Sequence, residues 1–180
     1  MTAPPPLFQS ALQERWGALP SSVRAFHAAA LPASFRGTAE ITRGRNPLTQ
    51  VIAWVFRFPK AGQAVPVSVS VTAGKVGERW ERRFAGARLV SHCSASPRPY
   101  RYRERFSIMT FEQDLRVENG RLLILVRRGW CLGVPLPGWL LPESDTQEYE
   151  AEGRFHFDVA LSAPLGLGLI VHYRGALEPA

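Results

Sequence analysis

From Val65 onward the apolar residues recur at every second position, a period no helix can satisfy and one that persists over most of the remaining chain. Val65, Val67, Val69 and Val71 alternate with Pro66, Ser68, Ser70 and Thr72, as in a strand with one face in a core. A turn at Ala85-Gly86 places Trp80, Arg82 and Phe84 on the same face as Leu89, Ser91 and Cys93. Across residues 100–111, Tyr100, Tyr102, Glu104, Phe106 and Ile108 share one side, with Arg101, Arg103 and Arg105 on the other. Asn119-Gly120, a strong hairpin signal, sets Leu115 and Val117 beside Leu122 and Ile124. For 146–161, parity favours one long strand bent at Gly153, with Tyr149, Phe155, Phe157, Val159 and Leu161 inward and Glu148, Glu150, Glu152, His156 and Asp158 outward. A two-residue turn at Glu152-Gly153 would mix those faces by setting Tyr149 beside His156. A turn around 163–166 leads to a last strand with Leu167, Leu169, Val171 and Tyr173. With 38–43, this gives about nine strands joined by short, antiparallel-type connections and no βαβ rhythm.

The first third is helical in period. Leu7, Phe8, Ala11, Leu12, Trp16 and Leu19 form one stripe; Ser21 or Ser22 caps a short helix carrying Val23, Phe26 and His27. Asn46 is a suitable N-cap, Pro47 fits the first helical position, and Leu48, Val51, Ile52, Val55 and Phe56 form a wide stripe ending at Pro59. That stripe is expected to cap the sheet, with gating a pocket or touching a membrane surface as the alternative. The fold expected is α+β: N-terminal helices packed on a strongly curved, mostly antiparallel sheet or partial barrel, because an apolar sheet face this large must curl or close.

The chain has 180 residues, 46% of them hydrophobic and 21% charged, which is globular composition and one domain's length. Met1–Pro6 reads as a disordered Pro-rich start. It lacks the basic and apolar regions of a signal peptide, and no stretch reaches the ~18 apolar residues of a membrane span, so a cytoplasmic location is expected. Of the 22 basic residues only Lys60 and Lys75 are lysine; the net charge is +7, spread along the chain without a basic tail. Cys93 and Cys131 lack ligand spacing and are expected as free thiols.

Catalytic motifs find little support. There is no G-x-S-x-G elbow, and His27, His92, His156 and His172 fall in separate elements with neither H-x-x-x-H nor C-x-x-C spacing. His156 and Asp158 share a strand face, but one rich in glutamate and so read as solvated. The run Tyr100–Phe106 interleaves aromatics with arginines, as single-strand nucleic-acid platforms do, yet on a strand the two sets project oppositely. Nucleic acid is therefore not the expected partner. The Arg101, Arg103, Arg105 row is instead expected to face Glu148, Glu150 and Glu152 in a cross-strand ion ladder.

The anomaly lies on the inner face. Arg82 stands between Trp80 and Phe84, and Glu104 between Tyr102 and Phe106, each on the apolar side of its strand. Either the two pair and fix register, or they line a cavity that receives a polar head group. Arg82, Glu104, Trp80, Tyr102, Phe155 and Phe157 are accordingly the candidate ligand-binding residues. The segment Trp130–Pro142 is too broken by proline for a long element. Its Trp130 and Trp139 form a candidate interaction surface that caps a core, gates a pocket or touches a membrane surface.

Several blocks resemble a known family. Leu19-Pro20-Ser21-Ser22-Val23-Arg24-Ala25-Phe26-His27, Arg36-Gly37-Thr38-Ala39 and Glu78-Arg79-Trp80-Glu81-Arg82-Arg83-Phe84 are followed by Gly133-Val134-Pro135-Leu136-Pro137, Gly153-Arg154-Phe155-His156-Phe157-Asp158-Val159 and His172-Tyr173-Arg174-Gly175. Together these are similar to the bacterial family called domain of unknown function 4166, from about Leu7 to Glu178. The family carries no assigned activity, so no functional residue transfers. Its members stand alone or are joined to a saccharopine-dehydrogenase-like dinucleotide module, which implies an oxidoreductase partner. This chain lacks that module: Gly166-Leu167-Gly168-Leu169 departs from G-x-G-x-x-G and opens no helix. The function expected is a non-catalytic binding or accessory domain, without a cofactor, that holds an apolar or amphipathic small molecule. The alternative is an interaction module docking on a dinucleotide-dependent oxidoreductase.

Overall fold

A computed structural model of the chain describes residues 5–180. The expected disordered start falls mainly on residues 1–4, outside the described residues; Pro6 already serves as the N-cap of the first helix.

The chain begins with α1 (Leu7–Leu12), a 3-10 turn over Gln13–Ala18, and α2 (Ser21–His27). Then come β1 (Ala33–Arg43), α3 (Pro47–Val55), β2 (Gly62–Ala73), β3 (Glu78–Phe84), β4 (Ala87–Ala95), β5 (Arg101–Phe106), β6 (Met109–Glu118) and β7 (Arg121–Cys131). The two-residue β8 (Val134–Pro135) and a 3-10 turn (Gly138–Leu140) precede β9 (Glu143–Ala151), β10 (Arg154–Ala163) and β11 (Gly168–Pro179). All pairings are antiparallel. Neighbours follow chain order from β1 to β7, then β9, β10 and β11, and β11 pairs back onto β1 from Phe35↔Pro179 to Arg43↔Val171. Ten strands thus close an up-and-down barrel, and β8 hangs on the outer part of β7. The curved sheet expected from sequence is a fully closed one.

The strand count hinges on Glu152-Gly153. It is a two-residue hairpin turn with both residues left-handed, φ 53° and 71°, and not a bend in one strand. Tyr149 does lie beside His156, their rings stacked at 5.4 Å on the outside of the barrel. The inward partners of Phe155 and Phe157 are Glu150 and Glu148. Parity misleads here because those two glutamates point toward the N-terminal helices.

Both helices are held by carboxylates from the barrel rim. Neither Ser21 nor Ser22 caps α2 with its own side chain; the Glu150 carboxylate accepts from the Ser22 backbone N–H at 2.8 Å and the Ser21 hydroxyl at 3.0 Å. Glu78 accepts from the Leu7 N–H of α1 at 3.3 Å and the Trp80 indole at 2.9 Å. Helix N-termini present unpaired N–H groups and a positive dipole end, so carboxylates suit both places. Phe8 and Phe26 then enter the barrel end: Phe8 stacks on His27 at 3.9 Å, and Phe26 on Phe155 at 3.9 Å. His27 is buried and bonded through Nε2 to Glu148. This end is the floor.

The Ser22 N–H, together with the Ser21 hydroxyl, holds the Glu150 carboxyl below its ordinary value. A carboxyl lowered on folding stabilises above its unfolded value and loses that contribution as pH falls through the folded one. Acidification is therefore expected to loosen α2 from the barrel, and Glu150→Gln to remove that sensitivity. Amide exchange of residues 21–28 at neutral and acidic pH, corrected for intrinsic rates, checks both.

At the opposite end, α3 lies after β1. Asn46 caps it as expected, its Oδ1 accepting from Leu48 N–H at 2.9 Å, and its amide reaches the Leu167 carbonyl beside β11 at 3.0 Å. The wide apolar stripe caps the barrel mouth only in part: Ile52 packs against the core and, with Phe56, lines the barrel interior. Thr49 and Ala53 are the buried positions, whereas Leu48, Val51, Trp54 and Val55 face solvent. Small Ala53 and Thr49 let the helix sit close on β11, and Leu48, Val51 and Trp54 are left outward.

The ion ladder also forms differently. β5 pairs with β4 and β6, not β9, so Arg101 meets Asp114 at 3.2 Å on β6 and Arg103 lies over the Trp130 ring at 5.3 Å. Arg98 supplies the partner for buried Glu112 at 3.0 Å. Glu148 and Glu150 are already engaged at the floor.

Candidate functional site

Inside the barrel is a cavity of about 820 Å³. Phe8, Phe26 and Trp80 form its floor, Val67, Val69 and Phe157 its wall, and Val55, Ile108 and Leu140 its mouth. Val55, Ile108 and Leu140 are also exposed, so the cavity reaches solvent between α3, the β5–β6 turn and the segment after β8. All six residues expected to bind ligand, Arg82, Glu104, Trp80, Tyr102, Phe155 and Phe157, line this one space. Phe155, Trp80 and Tyr102 lie toward the floor, where Phe26 and Phe8 cover them.

The two readings of Arg82 and Glu104 turn out to be compatible. Arg82 Nη2 donates to Glu104 Oε1 at 3.2 Å, and both side chains line the cavity. Glu104 is the centre of a network. It also accepts from the Ser91 hydroxyl at 2.7 Å, the Gln113 amide at 2.8 Å and the Tyr102 hydroxyl at 3.3 Å. Arg82 gives a second bond from Nη1 to Ser91 at 2.9 Å. A carboxylate has roughly four acceptor sites, so Glu104 is saturated, whereas a guanidinium has five N–H groups and Arg82 retains unused donors. Its side chain keeps 21% exposure, against 6% for Glu104.

The electrostatics follow from this arrangement. Burial is the largest influence on the Arg82 guanidinium and pulls it down; Glu104 is the largest of several groups that pull it up, and the net direction is upward, so the group stays charged. Burial raises the Tyr102 phenol well above its usual value, and the Glu104 charge adds to the effect. The Tyr173 phenol, opposite in the wall, is pushed up to about 12 by burial. The Cys93 thiol is also raised well above its ordinary value by burial and then by Glu104, so it is a buried thiol and not a nucleophile. The interior therefore offers a fixed cation with spare donors and neutral phenols inside an otherwise apolar wall. That combination can orient an acceptor oxygen on an apolar molecule; it holds no activated nucleophile.

Ser91, Gln113 and Tyr173 join the site without having been singled out. Ser91 and Tyr173 stand on inward faces by parity, and a polar residue at such a position is the available signal. Gln113 adjoins a register shift between Glu112 and Gln113, which hides its direction. Trp130 is half-buried under Arg103 on the outer wall, and Trp139 is exposed at the mouth, so the two expected interaction residues occupy different surroundings. Among the described residues no group of three His, Cys, Asp or Glu side chains is arranged to hold a metal ion.

The family described as Domain of unknown function (DUF4166) matches residues 19–177. The chain belongs to this family. The DUF4166 match takes in α2, all the barrel strands and every residue of the Arg82–Glu104 network, and leaves out α1 with Phe8. No curated protein and no solved structure matches the chain.

Proposed function

We propose that this DUF4166 domain is a non-catalytic carrier that holds one apolar or amphipathic small molecule inside the barrel. The observation that carries this reading is the polar network suspended in the middle of an apolar cavity. Rigidity alone is served equally well by apolar side chains, since a buried ion pair at best tends to break even against them, whereas unused guanidinium donors that open onto the cavity are placed to meet an acceptor. The volume falls within the range of ligand sites, roughly 300–1,000 Å³, and small up-and-down barrels can enclose a single ligand. The ligand's apolar body lies along Val67, Val69, Leu89 and Phe157, and an acceptor oxygen, such as a carbonyl or carboxylate, meets the free Arg82 donors and Tyr173.

Native mass spectrometry of the purified protein, with its denatured mass and an organic extract, tests the proposal. The expected result is a stoichiometric extra mass that denaturation releases, or uptake of one molecule when fatty acids and isoprenoids are offered. Arg82→Leu is expected to weaken uptake by about tenfold or more, the loss of a charge-assisted hydrogen bond of ~1.5–3 kcal/mol. A clean unliganded mass under all these conditions overturns the carrier reading; unchanged uptake in Arg82→Leu removes Arg82 from the site.

A further inference from the structure

The large exposed apolar side chains are not scattered. Among the described residues, every one apart from Leu31 and Val76 lies at the mouth end: Leu48, Val51, Trp54 and Val55 on α3, Ile108 in the β5–β6 turn, and Leu132, Val134, Trp139, Leu140 and Leu165 in the later segments. Trp54 is 79% exposed and Leu132 75%. Single exposed apolar residues are ordinary, but a continuous rim of them marks a contact surface. α3 carries more apolar surface than its packing uses: Thr49 and Ala53 are buried and Ile52 half-buried, while Leu48, Val51, Trp54 and Val55 stay exposed.

Charge identifies what the rim meets. Exposed Arg45, Arg57, Lys60, Arg105 and Arg128 surround it, and none makes an ion pair among the described residues. Among the described residues, the carboxylates near that end without an ion pair are Glu143 and Asp145, while Glu40 and Glu112 are taken up by Arg174 and Arg98. Elsewhere many arginines are matched, as with Arg79, Arg83 and Arg88 on Glu81, or Arg101, Arg116 and Arg127 on Asp114. Of those without an ion pair, Arg15, Arg103 and Arg121 lie over aromatic rings and Arg43 binds backbone carbonyls, while Arg24, Arg36 and Lys75 lie away from the apolar rim. An apolar tip with an interfacial tryptophan inside a collar of unpaired cations complements an anionic bilayer, which offers acyl chains below and negative head groups above. A folded protein partner of matching charge would have to bring its own apolar socket, for which nothing on this chain argues. The barrel wall is unsuited to hydrocarbon, since Arg79, Glu81, Arg83, Asp114 and Arg116 project from it. Among the described residues no helix is long and apolar enough to cross a membrane.

We infer that the mouth of the barrel docks on an anionic lipid bilayer, with the outer face of α3 and the tips at Leu132, Trp139 and Leu165 inserted at the head-group boundary. Docked this way, the cavity opens toward the acyl layer without crossing water. That last step rests on the carrier reading; the docking itself does not.

Vesicle flotation tests it with phosphatidylcholine alone and with phosphatidylglycerol mixed in. The purified protein is expected to float with the mixed vesicles, to float less as salt is raised, and to shift its tryptophan emission to the blue. Arg45→Glu/Arg57→Glu/Lys60→Glu is expected to lower partitioning by at least about tenfold, given the usual contribution of each cation near an anionic surface. Trp54→Ser with Val51→Ser lowers it comparably, and both sites are exposed enough to leave the fold intact. Val76→Ser, equally exposed but at the floor, leaves binding unchanged. Flotation equal on both vesicle types, no flotation at all, or rim variants that bind like the parent would each overturn docking. So would a dimer in sedimentation that Trp54→Ser dissolves, because the rim would then belong to a second copy. Vesicle binding with a clean unliganded mass would sink the carrier reading alone.

Discussion

Gly37→Ala is expected to open the barrel. Gly37 lies on β1 opposite Leu177 of β11, the strand pair that closes the ring. A Cβ built at this position falls 1.9 Å from the Ala176 carbonyl oxygen, 3.0 Å from its carbon and 3.3 Å from Leu177 Cα. All three are backbone atoms of the closing strand, so no side chain can rotate away; β11 itself must retreat. Gly175 on the facing strand is under the same constraint, with a Cβ 2.1 Å from the Thr38 oxygen and 3.0 Å from Phe157 Cζ. Closing a ring of strands requires bends tighter than a flat sheet's, and glycine is where backbones can approach that closely. A loss above ~4 kcal/mol is expected, the class of steric substitutions that stand out from ordinary point changes, and a large part of the ~5–15 kcal/mol that holds a domain folded. Urea unfolding followed by circular dichroism reads this directly. Gly86→Ala, where nothing lies within 4 Å, is the matched control and should shift stability by no more than ~0.5 kcal/mol. A Gly37→Ala protein that unfolds cooperatively at the parent's midpoint would show that the seam is looser than its contacts imply.

That seam could not be seen in the sequence, and the reason is one hairpin. Nine antiparallel strands in a meander leave the first and last running the same way, so the antiparallel seam seen here is not available to them. Ten leave them antiparallel, and β1 can accept β11. The tenth strand was hidden at Glu152-Gly153 because the rule that apolar residues face inward was applied to β9, where it fails. Glu148 and Glu150 point inward to serve His27 and the α2 N-terminus, and Tyr149 points out to stack on His156 under Arg121. Where no such long-range service is demanded, parity holds. Phe84 does face Ala87, and Leu115 and Val117 do face Ile124 and Leu122.

The outward half of the α3 stripe was illegible for a related reason. Period reports that a helix has an apolar face; it does not report what that face meets. A chain that buries its stripe and one that offers it to a surface share the same spacing, and only the tertiary placement of Thr49 and Ala53 against β11 separates them. The interior pair was legible because a charge between two aromatics on an apolar strand face is rare at any site. Its donors Ser91 and Gln113 were not, since each comes from a different strand and is an ordinary residue until the barrel closes.

Glu104→Leu is expected to cost about 3–5 kcal/mol, the usual penalty for removing one member of a buried pair. Four groups lose their common acceptor: the Arg82 guanidinium, the Ser91 and Tyr102 hydroxyls and the Gln113 amide. The charged one is the most costly, moderated by the portion of Arg82 that reaches the cavity and any water there. Arg82→Leu alone should cost less, because Glu104 keeps three donors. The double variant Arg82→Leu/Glu104→Leu is expected to recover most of the loss, since paired burial tends to break even against well-packed apolar side chains. Chemical unfolding of all three gives the coupling energy, and additive costs would mean that the two side chains stand independently. The same double variant separates fold from function. If it is stable yet no longer takes up an apolar guest carrying an acceptor oxygen, the pair is kept for what it holds. If it still binds as the parent does, Arg82 and Glu104 set the register of β3 and β5 and the cavity recognises its guest by shape.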